Sequence, residues 1–318
     1  MSLPIYLREV IEKKVHGIPL SKLTECAEEL SRRYRSDNFF LQKDLLLAYL
    51  AFRFPATYSV IASVLKEVIR KNPLLEIGSF LDLGCGPCTG LFALQEFFEN
   101  LEKVTLVEKD KHFFDLGKLL VQEAIPSLAS KCSWMQKDIE TWEGCEPHDL
   151  VLFSYSLGEL SSHQWKGAVQ RAWDSTKKIL VIIEPGTPRN FERIKEARQF
   201  LLSLGGNLLA PCPTAGGCPM QKGDWCHFSS RVERSSLHRK CKQASLGYED
   251  EKFSYLVFSK HITSHAYARI LRHPIKKPGL VSLTLCESGE SKIVNIPHRE
   301  REAYKKARKA SWGEEWKN

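Results

Sequence analysis

The sequence predicts an α/β protein: a doubly wound, largely parallel sheet, with an N-terminal helical region before it and a small C-terminal β-rich basic extension after it. Three observations carry this. From Ile77 onward short apolar runs alternate with amphipathic stretches, the rhythm of buried parallel strands joined by helices. Before Ile77 the apolar residues recur at helical spacing. After Glu184 the rhythm fades into a turn-rich insert with cysteines, followed by short strand-like runs. A chain of 318 residues fits one large domain with appendages or two domains, and 43% hydrophobic residues exclude global disorder. By pattern the chain divides at 1–75 (helical region), 76–260 (sheet domain, with a cysteine-rich insert at 205–247) and 261–318 (basic extension).

In chain order, Ser21 is placed to cap a helix through SKLTECAEELSRRYR, whose Leu23, Cys26, Ala27, Leu30 and Tyr34 share a face. LQKDLLLAYLAFRF continues the helical pattern. Pro55 fits the first turn of the next helix, which Asn72-Pro73 ends. The strand candidates are IGSFLDLG, KVTLVEKD, CSWMQKD, DLVLFSYS and KKILVIIEPG. A helix is expected from Asn190 to Leu204. KFSYLVFSK reads as a strand returning to the sheet, then HAYARIL, GLVSLTLC and SKIVNIP as three short strands, and REREAYKKARKASWGEEW as a basic helix and tail.

The formal charge is +8, but the segment from His265 to Asn318 carries 12 Lys+Arg against 6 Asp+Glu. A basic tail on a near-neutral body points to a polyanion, with RNA the leading candidate; a solvated charged helix is the plainer explanation. No apolar run approaches the roughly 20 residues that span a bilayer, so no membrane partner is expected. The start lacks the apolar core of a signal peptide and carries Glu9 and Glu12, unlike a transit peptide. A soluble intracellular protein is expected. Ten cysteines in a reducing compartment point to metal or redox chemistry rather than disulfides.

The first motif is Phe80-Leu-Asp-Leu-Gly-Cys-Gly-Pro-Cys-Thr-Gly90, where the first strand meets a helix. Gly84 and Gly86 let the backbone turn tightly and approach a ligand. Glu108, ending the next strand, is placed to accept ribose hydroxyls, and Asp138, ending the third, to meet an adenine amino group. The turn resembles the first motif of class I S-adenosylmethionine-dependent methyltransferases, acidic-x-Gly-x-Gly-x-Gly, a Rossmann-like fold. That resemblance implies a cofactor site of Asp82, Gly84, Gly86, Glu108 and Asp138. A dinucleotide site fits less well, because Thr89 stands at its final glycine. Cys88 replaces the third glycine, where a thiol side chain would narrow the pocket. Cys85 and Cys88 form a C-x-x-C that small packing residues explain more simply than a redox pair. No catalytic residue is assigned. DLVLFSYSLGEL lacks the signatures of amino-group and pyrimidine carbon-5 methyltransferases, and Tyr155, Ser156 and Glu159 are only candidates to line a substrate pocket.

The second motif is Cys212-Pro-Thr-Ala-Gly-Gly-Cys218-Pro, followed by Asp224-Trp-Cys226-His227-Phe. Three thiols in a stretch broken by Pro and Gly form a ligand pattern, since turns let side chains converge. A fourth ligand could be Cys241, Cys286 or His227. Zinc accepts Cys₃His or Cys₄, and an iron–sulfur cubane prefers Cys₄.

Pro55-Ala-Thr-Tyr58, LDLGCGP, EPGTP (Glu184 to Pro188), CPTAGGCP, DWCHFSSR, RHPIKKPG, LTLCESG and KASWG occur in this order. This series resembles the mitochondrial small-ribosomal-subunit assembly-factor family of methyltransferase-like proteins, which also has bacterial members. The resemblance runs from about Phe52 to Trp312. It implies binding to small-subunit ribosomal RNA, with S-adenosylmethionine as ligand, and a [4Fe–4S] cluster on Cys212, Cys218, Cys226 and Cys286, with zinc the alternative metal. Cys241 lies outside the family pattern, and His227 and Cys132 read as structural. A bacterial member would be cytoplasmic; the mitochondrial matrix is the alternative. Arg231, Arg234, Arg239, Lys240, Lys242, Lys276, Lys277, Lys305, Lys306, Arg308 and Lys309 are candidate phosphate contacts, and Trp312, Tyr304 and His298 candidate stacking residues. Two rival functions stay open: an active ribosomal RNA methyltransferase, and a non-RNA methyltransferase with structural zinc.

Overall fold

The computed structural model describes residues 2–36, 43–241, 245–261 and 268–317. Helices α1 (Ile5–Val15), α2 (Leu20–Ser36) and α3 (Lys43–Ala48) lead through a π-helical turn (Tyr49–Arg53) into α4 (Phe54–Lys71). Strands and helices then alternate: β1 (Ser79–Leu83), α5 (Thr89–Gln95), β2 (Lys103–Val107), α6 (Lys111–Ala124), α7 (Pro126–Ala129), β3 (Cys132–Met135), β4 (His148–Ser154), α8 (Trp165–Asp174), β5 (Thr176–Pro185), α9 (Pro188–Ser203) and β6 (Asn207–Ala210). The remainder holds β7 (Phe228–Glu233), α10 (Ser236–Cys241), β8 (Tyr248–Ser259), β9 (Ala268–Ile270), β10 (Ile275–Lys277), β11 (Leu280–Glu287), β12 (Glu290–Pro297), α11 (Arg301–Lys309) and β13 (Glu315–Trp316).

The chain divides into two compact units, Met1–Lys177 with Ser229–Glu251, and Lys178–Phe228 with Lys252–Asn318. In the first, the strands run in the order β3-β2-β1-β4, all parallel. β1 is flanked by β2 and β4, so the strand order reverses beside it, and open α/β sheets bind ligands at such a point. In the second, β8 runs antiparallel to both β5 and β6. Parallel strands in the order β3-β2-β1-β4 and a late reversed strand beside β5 are marks of the class I methyltransferase sheet, as the sequence predicts.

Local chemistry sets the element ends. Pro55 lies in the first turn of α4, where its missing N–H costs no helical bond. Ser21 does not cap α2, which already begins at Leu20. Asp110 caps α6 by accepting from the amides of His112 (2.8 Å) and Phe113 (3.0 Å). The EPGTP run is a strand-to-helix device: Thr187 caps α9, Pro188 opens it, and a Cβ on Gly186 would fall 2.7 Å from the Phe253 amide nitrogen.

The helical stretch Leu45–Lys71 is long and apolar enough to cross a membrane, although the sequence shows no unbroken apolar run of that length. Its most apolar window is 72% buried inside the protein, which accounts for its composition as core. Val15, Leu23, Leu30, Leu46, Phe52 and Cys241 pack into one helical cluster of the first unit, so Cys241 is a core residue there. His265, Ala266 and Tyr267, expected to start a strand, and Lys242 lie outside the described residues.

In the second unit, β11 pairs with β12 along its length and with β10 and β9 on its other edge. β10 and β13 are strands too short for periodicity to reveal. Alternation puts Val281, Leu283, Leu285 and Ile296 against Ala307 and Trp316, while Ile293 is 70% exposed. Leu283→Ala is therefore expected to cost about 2–5 kcal/mol in urea unfolding. Ile293→Ala is expected to change stability by less than about 0.5 kcal/mol.

Candidate functional site

The glycine turn leaves β1 at the reversal of strand order. The amides of Gly84 and Cys85 both donate to the carbonyl of Val107, at 2.9 and 3.0 Å. Gly84 (φ +77°) and Gly86 (φ +52°) take left-handed backbone, and a Cβ on Gly84 would lie 2.5 Å from Ser156 Cβ. Ser156 is thereby accounted for: its hydroxyl donates to Leu83 O at 2.6 Å and clasps the turn. Cys88, at the family's third glycine, also adopts φ +65°, the conformation a glycine there would take freely. Its thiol turns toward α6. The side chain is fully buried against Gly117 of α6, where an added Cβ would fall 2.9 Å from Cys88 Sγ. Burial raises the thiol pKa of both Cys85 and Cys88, so neither is poised as a thiolate.

Glu108 holds the turn from β2. Its carboxylate accepts from the Gly86 amide (2.8 Å) and from the Asp110 amide (2.8 Å). Burial pushes this carboxyl up, and those two amides oppose the shift. Asp138 is half-exposed beyond β3, accepts from the Glu140 amide at 3.0 Å, and lies 3.7 Å from Lys109 Nζ. Asp82 differs from both. It is buried, and neither carboxylate oxygen has a hydrogen-bond partner. Burial, with Glu108 nearby, pushes its pKa up to about 8. Gly90 makes room for it: a Cβ there would sit 2.4 Å from Asp82 Oδ2. The structure adds a residue that sequence spacing does not reveal. Tyr49, in the π-helical turn, meets Phe113 edge to face at 4.9 Å and points its hydroxyl toward Thr57 and Thr89. Only the preceding apolar periodicity hints at a helix here, and no sequence signal marks the π turn. Tyr155 follows β4 at φ +60°, a strained conformation for an aromatic residue, and Glu159 is exposed.

In the second unit Cys212, Cys218, Cys226 and Cys286 all line one cavity of about 40 Å³, together with Arg198 and Arg269. Cys212 follows β6. Cys218 is brought in by the tight β11–β12 turn: Gly289 (φ +83°) abuts Gly217, whose carbonyl would lie 3.2 Å from an added Cβ. Cys286 stands on β11 opposite Arg269 of β9. Cys226 is anchored where the Ser254 hydroxyl donates to its carbonyl at 2.8 Å, and Trp225 Nε1 donates to Gly186 O at 3.0 Å. Burial raises the thiol pKa of Cys212, Cys226 and Cys286, and repulsion among the cysteines adds to it; Cys286 is pushed up to about 12. At Cys212 the Arg198 guanidinium opposes burial. Among the described residues, no three His, Cys, Asp or Glu side chains are disposed to hold a single metal ion. His227 does not line the cavity; it stacks on Trp225 at 4.9 Å and meets Trp312 edge to face.

A family profile described as the mitochondrial small ribosomal subunit Rsm22 matches residues 43–317. The chain belongs to the Rsm22 family. Among its relatives are the Rsm22-cox11 tandem proteins of Schizosaccharomyces pombe, 25% identical over 96% of this chain and 47% of theirs. The human mitochondrial ribosome assembly protein METTL17 is 23% identical over 95% of this chain and 68% of its own. The chain thus spans about half the length of the yeast Rsm22 relatives. Similar solved structures include magnesium protoporphyrin IX methyltransferase of Synechocystis (TM-score 0.43, 11% identity, 80% of this chain and 100% of that one) and the N-methyltransferase NodS of Bradyrhizobium japonicum (TM-score 0.40, 13% identity, 61% and 84%).

The basic residues of this Rsm22 member are not equally available. In the first unit, Arg231 pairs with Asp250 and lies over the Tyr248 ring, and Arg234 pairs with Glu249 at 3.0 Å. Arg239 and Lys240 are exposed. In the second, Lys276, Lys277, Arg308 and Lys309 are exposed, Lys305 pairs with Glu302, and Lys306 lies over the Trp316 ring. The proposed stacking residues are engaged: Tyr304 with His298, and Trp312 with His227 and His273.

The raised pKa of Asp82 sets a pH dependence. The folded carboxyl keeps its proton to about 8, whereas the unfolded one loses it near its ordinary 3.8. Between those values the folded state holds the extra proton, so ligand-free stability falls as pH rises, on the order of 1 kcal/mol per pH unit. Urea midpoints at pH 5.5 and 7.5 are expected to show this fall in the wild type, and Asp82→Asn to remove most of it.

Proposed function

We propose that this chain is an assembly factor of the small ribosomal subunit that binds small-subunit ribosomal RNA, S-adenosylmethionine at the glycine turn, and a [4Fe–4S] cluster on Cys212, Cys218, Cys226 and Cys286. The observation that carries the reading is the span of the family match, which takes in both the glycine turn and the cysteine cavity. METTL17 is by name a ribosome assembly protein. In this proposal residues 1–75 roof the cofactor turn, 76–260 hold the cofactor and three of the thiol ligands, and 261–318 supply the fourth thiol and the main basic surface. The relatives carry mitochondrial names, which favours the mitochondrial matrix over the cytoplasm.

The residues fit the cofactor. Two unpartnered, buried Asp82 oxygens suit an ammonium group, and such a ligand would draw the carboxyl into its ionised form. Gly84 and Gly86 give close backbone approach. Each Glu108 oxygen accepts one amide and keeps a lone pair for a ribose hydroxyl. Asp138 is half-exposed and would meet the adenine amino group. S-adenosylmethionine, once bound, supplies an electrophilic methyl group. The donor set is of the right kind for a cluster, since four thiols line one cavity, although among the described residues no three such side chains are disposed to hold a single ion. Methyl transfer to ribosomal RNA is a second reading, favoured by the strained Tyr155 at the end of β4.

Anaerobically purified protein is expected to be brown, with iron and sulfide that Cys212→Ser removes; a colourless protein with stoichiometric zinc overturns the cluster and leaves the thiol site standing. S-adenosylmethionine titrated calorimetrically is expected to bind, and Asp82→Ala or Glu108→Ala to weaken it at least tenfold. Labelled methyl incorporation into small-subunit RNA that Asp82→Ala abolishes would establish the second reading. For RNA, Lys276→Glu with Lys277→Glu is expected to lower affinity uniformly across sequences. The slope of log affinity against log salt should then become shallower by roughly 0.7–0.9 for each phosphate no longer neutralised. Salt-independent binding would remove RNA from the proposal.

A further inference from the structure

Arg198 is a buried cation with an unfinished environment. It lies on α9, only 5% exposed. Its Nη2 donates to the carbonyls of Thr214 (2.9 Å) and Gly216 (2.6 Å), inside the Cys212–Cys218 loop. Its Nε is buried with no hydrogen-bond partner. Among the described residues it has no carboxylate partner. The other buried guanidinium at the cavity is better matched: Arg269 donates to Pro211 O and Gly313 O and pairs with Glu315 at 3.4 Å. A buried charge without a counter-charge is costly, and native structures rarely keep one. Arg198 lines the cavity that all four cysteines line, so an anionic centre held there would stand beside it.

Protonated, the four thiols are neutral and leave Arg198 uncompensated. Bound to zinc or to an oxidised cubane, four thiolates carry a net charge of about −2. We infer that Arg198 is a positioning residue for an anionic tetrathiolate metal centre: it neutralises the centre, donates toward Cys212 Sγ, and holds the loop that presents Cys212 and Cys218. This rests on the proposed role of the four cysteines as metal ligands. It adds what those cysteines do not reveal, a cation that sets how firmly the metal is held and how readily an iron–sulfur centre accepts an electron.

The test uses the full chain, purified without oxygen, as wild type, Arg198→Met and Arg198→Lys. Iron, acid-labile sulfide and zinc per chain identify the centre. The rate of metal loss to a chelator is measured for either metal, and a reductive titration followed by electron paramagnetic resonance for iron–sulfur. Arg198→Met is expected to lose metal about tenfold faster or more, in line with other side chains that support metal ligands from behind. Its potential should shift to more negative values, because a positive charge beside the acceptor is gone. Arg198→Lys should keep a potential close to wild type, although it forfeits the fork to the two carbonyls. Loaded Arg198→Met with unchanged metal loss and potential overturns the inference alone. Lys as impaired as Met also overturns it and reduces Arg198 to a loop tie. Wild-type protein without iron or zinc overturns the metal reading itself, and with it the inference. Should Arg198→Met fail to fold by circular dichroism, Arg198→Lys against Arg198→Gln decides the same question: equal potentials and metal loss overturn it, and a Lys advantage supports it.

Discussion

Two buried guanidiniums impose order on a segment that cannot order itself. The run from Pro211 to Pro219 forms no regular element. Its prolines lack N–H groups, its glycines resist a fixed backbone, and its carbonyls have no ladder to join. Arg198 and Arg269 supply the donors, reaching Thr214, Gly216 and Pro211. Hydrogen bonds from a charged donor are worth about 1.5–3 kcal/mol each, more than a neutral pair in the same place. Arg269 also reaches Gly313 and Glu315, so one side chain fixes both the cysteine loop and the terminal KASWG segment. The positions of Cys212 and Cys218 follow from this scaffold, while Cys286 is set by the pairing of β11 with β9 and β12.

The first unit solves the converse problem. At the glycine turn the loose groups are amides, and the side chain that meets them is a carboxylate. Glu108 takes the amides of Gly86 and Asp110 and so builds the turn from the neighbouring strand. Asp82 is left without that help. Its two bare oxygens are a cost to the free protein, one that a cationic ligand would offset. Both candidate sites thus keep one buried ionisable group unsatisfied, Asp82 in one unit and Arg198 in the other, and of opposite sign.

The features legible in the sequence are those whose physics is local. The Gly84-x-Gly86 turn and the Pro55 helix start are each legible within a few residues, as is the Cys-Pro/Gly spacing that the fold gathers at one cavity. The parallel strands are legible because burial on both faces makes them continuous apolar runs. What stays hidden depends on distant partners. Arg198 lies in an ordinary amphipathic helix, and only the fold brings it to Cys212. Tyr49 reaches the glycine turn through a π-helical turn that no periodicity encodes. Cys88 reads as an obstruction in sequence because its side-chain direction is set by left-handed backbone and by the space that Gly117 leaves. Strands β10 and β13, with three and two residues, are too short to show alternation.

Charge makes the same point about partners. The sequence assigns +6 of the net +8 to the last segment, but a count of side chains does not say which charges are free to meet a phosphate. Arg231 and Arg234, which extend the basic run in sequence, pair with Asp250 and Glu249 within their own unit. A cation already paired must break that pair before counterion release can contribute to RNA affinity. Exposed residues on α11 and β10 carry no such cost where they stand unpaired, and Arg308, Lys309, Lys276 and Lys277 are exposed. The paired cations thus stand at and just after β7, whereas exposed ones lie on α11 and β10.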